Sequence, residues 1–97
     1  MNNKESYQQI IINAHSNCFH NRKELEKSTM CGCLYCLKIF KPNEIIDWCD
    51  NDETAICPFC GIDSIIYDNK IYPLTKDFLK DMKQFWFDGI SIIKKEN

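Results

Sequence analysis

The sequence predicts a small α+β domain, and three observations lead to this class. Apolar side chains recur at helical spacing near both ends of the chain. The residues between these ends form short apolar, β-prone runs separated by turn signals. Two Cys-x-x-Cys pairs lie in this middle part, which indicates a metal-organised centre. The predicted architecture is a zinc-ribbon-like or treble-clef-like centre flanked by an N-terminal and a C-terminal helix.

Length and composition favour one domain spanning residues 1–97. The chain is 44% apolar and 12% aromatic, which is too rich in core-forming side chains for a disordered tail. A chain this short buries a modest fraction of its surface, so a metal or disulfides often add stability. The net charge of −2 and the pI near 5.6 disfavour nucleic-acid binding by whole-chain electrostatics, while a local basic face stays open.

The N-terminal part, residues 1–29, is predicted to form one helix over residues 7–27. Its apolar side chains recur at spacings of four, three, four and seven, which gives a single stripe. The stripe consists of Tyr7, Ile11, Ala14, Cys18 and Leu25. Arg22 and Glu26 stand four residues apart and can form an ion pair. We expect this helix and the C-terminal one to pack on the small sheet and on Trp48.

The middle part, residues 30–72, is predicted to form the zinc-binding centre. Residues 34–40 suit a hairpin arm, and Pro42-Asn43 is a turn signal. Residues 44–48 are expected to form a helical turn. Residues 62–67 are apolar and β-prone.

The C-terminal part, residues 73–97, is predicted to contain the second helix. Thr75 is the expected N-cap, and Asp77 lies in the first turn, where a negative charge is favourable. The apolar face of this helix consists of Phe78, Leu79, Met82, Phe85 and Trp86. Gly89 is expected to end it, and residues 90–93 are expected to add an extended tail.

Four cysteines are the predicted metal ligands, namely Cys33, Cys36, Cys57 and Cys60. A Cys-x-x-Cys pair suits zinc because its tight turn aims two sulfurs at one ion. Gly61 follows the second pair and allows the positive φ that such turns often need. Two pairs complete a tetrahedral shell without an open position, so the sequence predicts one structural Zn²⁺.

The other three cysteines have different expected roles. Cys31 could shift the ligand set, although the Cys-x-Cys spacing suits a metal turn less well. Cys18 lies on the apolar stripe and is expected to pack in the core, and Cys49 is expected to be half-buried. An odd number of cysteines is awkward for a closed disulfide set and indicates a reducing compartment. Since no secretory signal and no membrane-length apolar stretch is visible, a cytoplasmic location without a membrane span is expected.

Three further kinds of site stay open in the pattern. His15 and Cys18 stand three apart with His20 nearby, a proximity that a nucleophile and its base need. One of these three side chains could instead form a second metal site with Cys31 or Cys49. The second Cys-x-x-Cys pair also matches a redox motif, although a redox function expects a βαβ context that this chain lacks.

A long series of residues carries a resemblance. It comprises Cys31-Gly32-Cys33-Leu34-Tyr35-Cys36, Phe40, Glu44-Ile45, Trp48, residues 54–64, Trp86-Phe87 and, in the first helix, His15-Ser16 and Asn21-Arg22. This series resembles a family of small bacterial cytoplasmic proteins with a zinc-binding C-x-x-C…C-P-x-C-G pattern. The resemblance implies zinc binding, a bacterial source and a cytoplasmic location, and it implies no activity. His15, Arg22 and Asp63 match the pattern, which makes them candidates for a shared surface or a buried polar network.

The predicted function is that of a non-enzymatic structural-zinc protein that binds another protein, as an adaptor, a regulator or a toxin-immunity protein does. Phe85, Trp86 and Phe87 point in three directions around one helix, so a single stripe cannot bury them all. Aromatic surface is therefore left for a partner, unless the domain buries all three rings itself.

The main alternative is a nucleic-acid-binding zinc ribbon, although the net charge does not favour it. Its basic face would consist of Lys76, Lys80 and Lys83 with Arg22 or Lys38. A third class is a small metal-dependent hydrolase or nuclease that uses His15, which would need an open metal position or a second metal.

Overall fold

The computed structural model describes residues 6–89 and confirms the α+β class. Its helices are α1 (Tyr7–Ala14), α2 (Arg22–Lys27) and α3 (Lys76–Trp86), with 3₁₀ turns at His15–Cys18 and Pro42–Glu44. Its strands are β1 (Cys31–Cys33), β2 (Ile39–Phe40), β3 (Asp47–Cys49), β4 (Thr54–Ile56) and β5 (Ile65–Tyr67). The tail expected over residues 90–93 lies outside the described residues.

Two small antiparallel sheets form the centre. β1 is the middle strand of the order β2-β1-β5, and Cys31 lies opposite both Phe40 and Tyr67. β3 and β4 form a separate hairpin in which Trp48 lies opposite Ala55. The first Cys-x-x-Cys pair begins at the last residue of β1, and the second directly follows β4. Both pairs therefore lie at turns beside strands, which agrees with the predicted zinc-ribbon-like or treble-clef-like centre.

The prediction of a single helix over residues 7–27 is wrong, because the helix is interrupted between α1 and α2. His20 has a φ of 50°, and its backbone N–H donates to Thr54 Oγ1 at 2.8 Å. The N–H of Arg22 donates to the carbonyl of Glu53 at 3.0 Å. Backbone donors that a continuous helix would bond internally thus go to the β3–β4 hairpin, which holds α2 against it.

The helical turn predicted over residues 44–48 is also wrong. A 3₁₀ turn with Pro42 at its start ends at Glu44, and β3 follows. Trp48 pairs with Ala55 of β4, so strand pairing decides the conformation of this segment. Apolar residues three apart favour a helix only weakly over so short a run.

The first core cluster lies between α1, α3 and the three-stranded sheet. Its buried members are Ile11, Ala14, Cys18, Leu34, Ile66, Tyr72, Phe78, Leu79 and Met82. Gly32 allows this contact, because a Cβ there would lie 2.9 Å from Leu79 Cδ1. The hydroxyl of Tyr7 donates to Asp81 Oδ2 at 2.7 Å and joins α1 directly to α3.

The second core cluster lies between the two sheets and α2. Its buried members are Leu25, Cys31, Cys33, Phe40, Ile45, Ala55, Cys57 and Ile65, with Trp48 packed against them. The expectation that both terminal helices pack on Trp48 is therefore wrong. Arg22 of α2 contacts it, with its guanidinium carbon 4.3 Å from the ring centroid, whereas α1 and α3 contribute to the other cluster.

The C-terminal helix begins as predicted from the sequence. Thr75 is the N-cap, and its hydroxyl accepts a hydrogen bond from the N–H of Phe78 at 3.1 Å. The helix ends at Trp86, three residues before Gly89, which has a φ of 71°. Within residues 6–89, no helix has the length and apolarity that a membrane span requires.

Candidate metal centre

The thiols of Cys33, Cys36, Cys57 and Cys60 meet in one group, with their Sγ atoms within 4.8 Å of one another. Cys33 Sγ lies 3.6 Å from Cys60 Sγ, and Cys36 Sγ lies 3.7 Å from Cys57 Sγ. A tetrahedral ion with metal–sulfur distances of about 2.3 Å would place its sulfurs about 3.8 Å apart, so the spacing fits. All seven cysteines are free thiols. These four residues, here called the four-cysteine site, can hold a metal ion.

Backbone N–H groups in two equivalent turns point at the sulfurs. The N–H of Tyr35 donates to Cys33 Sγ at 3.3 Å, and the N–H of Phe59 donates to Cys57 Sγ at 3.4 Å. Such bonds favour the thiolate form over the thiol, because the donors stabilise negative charge on sulfur. The turns therefore favour two sulfurs as metal ligands, although burial still raises the pKa of Cys57 above its ordinary value.

The residue after each pair has a positive φ, which closes the turn. Gly61 has a φ of 81°, as the sequence predicts, and Leu37 has a φ of 69° at the equivalent position. The N–H groups of Gly61 and Leu37 donate to the carbonyls of Cys57 and Cys33 at 2.9 and 3.0 Å. A leucine in this region costs on the order of 1 kcal/mol, so the surrounding structure holds the first turn against its own preference.

Cys33 has a lowered pKa within the four-cysteine site. Burial raises its pKa, but hydrogen bonds from the hydroxyl of Ser64 and from the N–H groups of Cys36 and Tyr35 lower the pKa below its ordinary value. Burial raises the pKa of Cys60 to about 12, and the neighbouring charge of Cys33 adds to this increase. A cation is therefore needed before all four sulfurs can be thiolates, and metal binding would release protons.

The three remaining cysteines lie outside the four-cysteine site. Cys31 is fully buried, its thiol donates to the carbonyl of Phe40 at 3.5 Å, and burial raises its pKa to about 12. Cys18 packs in the first core cluster, as predicted. Cys49 lies half-buried on β3, also as predicted. In the described part of the chain, no second group of metal-ligating side chains accompanies the four-cysteine site.

Two of the three polar residues highlighted by the resemblance, His15 and Arg22, lie in different surroundings. His15 stacks on Trp86 with ring centroids 4.0 Å apart. Burial lowers the pKa of His15, and the carboxylate of Asp63 partly opposes this change. Arg22 lies over Trp48, and its Nη1 donates to the carbonyl of Asp52 at 2.9 Å. His15 and Arg22 thus contact aromatic rings rather than the four sulfurs.

Two polar residues that support the site belong to the series that carries the resemblance, but neither of them has a role predicted from the sequence. One is Ser64, whose hydroxyl lies 3.2 Å from Cys33 Sγ. The other is Asn21, whose Nδ2 donates to the carbonyl of Ile65 at 2.8 Å and whose Oδ1 accepts from the N–H of Ala55 at 3.1 Å. The weak helix propensity of asparagine was a signal for the break at Asn21, whereas no local pattern marks Ser64.

The lysines of the predicted basic face differ in their surroundings. Lys76 lines a groove with Lys38 and Lys41. Lys83 instead lies over the ring of Tyr35, with its Nζ 5.2 Å from the centroid. Lys80 is exposed and does not line that groove.

No protein-family model, curated protein or solved structure matches this chain. The resemblance to a bacterial family therefore stays a prediction. The function has to be argued from the geometry of the chain itself.

Proposed function

We propose that this chain is a non-enzymatic structural-zinc protein that acts by binding another protein. The observation that supports this most directly is the closed arrangement of the four-cysteine site. Four thiolates around a tetrahedral ion leave no position for water or a substrate, so the ion would stabilise the fold rather than react. A reducing cytoplasm would keep the thiols available for the ion.

Zinc is the proposed ion because it accepts four thiolates in tetrahedral geometry and has no redox chemistry. Iron is the main competitor for a tetrahedral set of four sulfurs. Elemental analysis with zinc-edge X-ray absorption tests the assignment on purified protein. We expect one zinc per chain with four sulfurs at about 2.3 Å. A nitrogen or oxygen ligand, or a second metal, would contradict this assignment and favour a metal-dependent hydrolase.

A row of aromatic side chains supports the protein-binding role. We call it the aromatic ridge, and it consists of Phe19, His15, Trp86, Phe87 and Tyr35. His15 contacts Phe19 and Trp86 at centroid distances of 5.3 and 4.0 Å. Phe87 follows Trp86 in the chain and contacts Tyr35 at 5.2 Å. The ridge therefore has two parts, a stack of rings around His15 and the Phe87–Tyr35 pair, which meet at the adjacent chain positions 86 and 87 at the end of α3.

The aromatic ridge remains exposed although the domain has two cores in which to bury rings. Phe19 is 45% exposed, Phe87 44%, Tyr35 42% and Trp86 36%. Aromatic side chains are enriched in the cores of protein interfaces and contribute many binding hot spots. A partner with a complementary apolar surface would bury these rings, and an adaptor, a regulator or an immunity protein would fit this use.

Quantitative affinity capture with matched variants tests the role of the aromatic ridge. We expect a partner that binds the wild-type chain to lose at least about tenfold in affinity with Phe19→Glu or Phe87→Glu. Ile46→Glu is the control, because Ile46 is 77% exposed and lies outside the ridge. The purified partner is then titrated against each zinc-loaded variant. The ridge is not the interface if every captured protein binds all three variants equally.

A further inference from the structure

A groove of about 630 Å³ beside β2 carries a local positive charge. Lys38, Lys41 and Lys76 line it, and Glu44 is the acidic residue of its lining. A carboxylate oxygen of Glu44 already accepts a hydrogen bond from the backbone N–H of Lys41 at 3.2 Å. The groove, here called the lysine groove, therefore concentrates cationic side chains on a chain with a net charge of −2.

One aromatic ring lies in the same groove. Phe59 is 48% exposed and contacts Phe40 edge-on, with ring centroids 5.2 Å apart. The Nζ of Lys38 lies 5.2 Å from the centroid of Phe59. Because the N–H of Phe59 bonds to Cys57 Sγ, the turn that carries this ring is fixed by the four-cysteine site. The groove thus combines flexible cations with a ring on a rigid support.

We propose that the lysine groove binds single-stranded nucleic acid, with phosphates beside the three lysines and one base stacked on Phe59. Positively charged grooves that track the backbone, together with aromatic rings that stack on bases, are the usual elements of such binding. The proposal shares Lys76 and Lys38 with the basic face predicted from the sequence, but it has Lys41 and Phe59 in place of Lys80 and Lys83. It concerns a surface separate from the aromatic ridge and does not depend on the protein-binding role.

The exposed ring of Phe59 favours a nucleic acid over an acidic peptide as the ligand. The lysine ammonium groups act as point charges that pair with phosphates and with carboxylates, so they do not distinguish the two. An exposed ring such as Phe59 can stack on a base only when the base is unpaired, which favours a single strand over a duplex. An acidic peptide is therefore the less suited occupant.

Fluorescence anisotropy with labelled oligothymidylate of about twelve nucleotides tests the proposal on the zinc-loaded chain. Single strands lose affinity with a log–log salt slope of about −0.7 for each neutralised phosphate. Three lysines therefore predict a slope of about −2, or roughly a 15- to 20-fold loss of affinity between about 50 and 200 mM salt. Lys38→Gln, Lys41→Gln and Lys76→Gln should each reduce the slope by about 0.7.

Matched variants distinguish binding in the lysine groove from binding elsewhere on the chain. Phe59→Leu keeps an apolar side chain but removes the ring, and it should weaken binding at least about fivefold, whereas Phe59→Trp should preserve binding. Tyr35→Leu is the control, since Tyr35 is the equivalent, similarly exposed residue of the first cysteine turn. Lys80→Gln is the control for Lys76→Gln on the same helix. Both controls should bind like the wild type, with zinc content and circular dichroism showing that each variant is folded.

Four results would each overturn the proposal. The folded chain could fail to bind the oligonucleotide at low salt. The Phe59→Leu and Tyr35→Leu variants could lose affinity equally, or Lys80→Gln could reduce the slope as much as Lys76→Gln. A polyglutamate peptide could bind as tightly and displace the oligonucleotide, which would make the groove an acidic-peptide site. Phe19→Glu should leave oligonucleotide binding unchanged, which separates this test from that of the aromatic ridge.

Discussion

At the level of single residues, His15 has a pKa that its surroundings lower. Its half-buried imidazole stacks on Trp86, burial lowers its pKa, and Asp63 opposes this only partly. We expect Trp86→Leu to raise the pKa of His15 toward the ordinary value of about 6.5. Trp86→Phe retains a ring and should keep the pKa low, whereas Asp63→Asn should lower it further. An NMR titration of the His15 ring proton measures each case.

The lowered pKa of His15 also predicts how the stability of the domain depends on pH. Since the pKa of His15 is lower in the folded state than in the unfolded state, the unfolded chain takes up the proton more readily. The contribution of His15 to folding free energy is therefore unfavourable below about pH 6.5 and absent above it. His15→Gln should remove this part of the pH dependence. A His15 pKa above 6.5, or one unaffected by Trp86→Leu, would contradict the assignment.

At the level of elements, Asn21 joins parts of the fold that no strand pairing connects. Its side chain bonds to Ile65 of the three-stranded sheet and to Ala55 of the β3–β4 hairpin, and it is only 2% exposed. Asn21→Ala leaves the carbonyl of Ile65 and the N–H of Ala55 without these bonds. We expect a loss of about 2–4 kcal/mol in the free energy of unfolding, measured by denaturant titration of the metal-loaded protein.

Two variants sharpen the test of Asn21. Asn21→Asp can still accept from the N–H of Ala55 but cannot donate to a carbonyl, and it buries a charge, so it should destabilise at least as much as Asn21→Ala. Asn43→Ala is the matched control at an exposed position and should change the unfolding free energy by less than about 0.5 kcal/mol. A similarly small effect of Asn21→Ala would show that the link between the sheets is unimportant.

The elements also show which features a sequence can predict. The Thr75 cap, the positive φ of Gly61 and the pairing of cysteines at Cys-x-x-Cys spacing depend on residues close in the chain, and the structure has all three. The break before α2 depends on bonds from His20 to Thr54, 34 residues away. The lysine groove likewise needs Lys76 beside β2, which only the packing of α3 on β1 provides. Local patterns carry no information about such distant partners.

At the level of the whole molecule, the four-cysteine site is the second link between the two sheets. Cys33 ends β1 of the three-stranded sheet, and Cys57 directly follows β4 of the hairpin. Both thiols belong to the second core cluster, which holds far fewer large apolar side chains than the first. A metal ion here would therefore replace packing that a domain of this size cannot provide. The first core cluster, by contrast, is built from helix and sheet contacts that contain none of the four ligands.

Because the ligands belong to the second core cluster and not to the first, the structure predicts the consequences of metal removal. Structural zinc contributes on the order of 10–16 kcal/mol to folding in small zinc domains, which equals or exceeds the net stability of about 5–15 kcal/mol of a typical domain. We expect complete chelation, or Cys57→Ser, to abolish the near-UV circular dichroism of the second core cluster. Cys49→Ser is the control, because Cys49 lies outside the four-cysteine site.

Variants with a single tryptophan distinguish the two core clusters. Trp48 reports on the second core cluster and should lose its native environment first on metal removal. Trp86 reports on the contact of α1 and α3. An unchanged near-UV spectrum after verified metal loss would show that the fold does not depend on the ion, and the site would then have to serve another purpose.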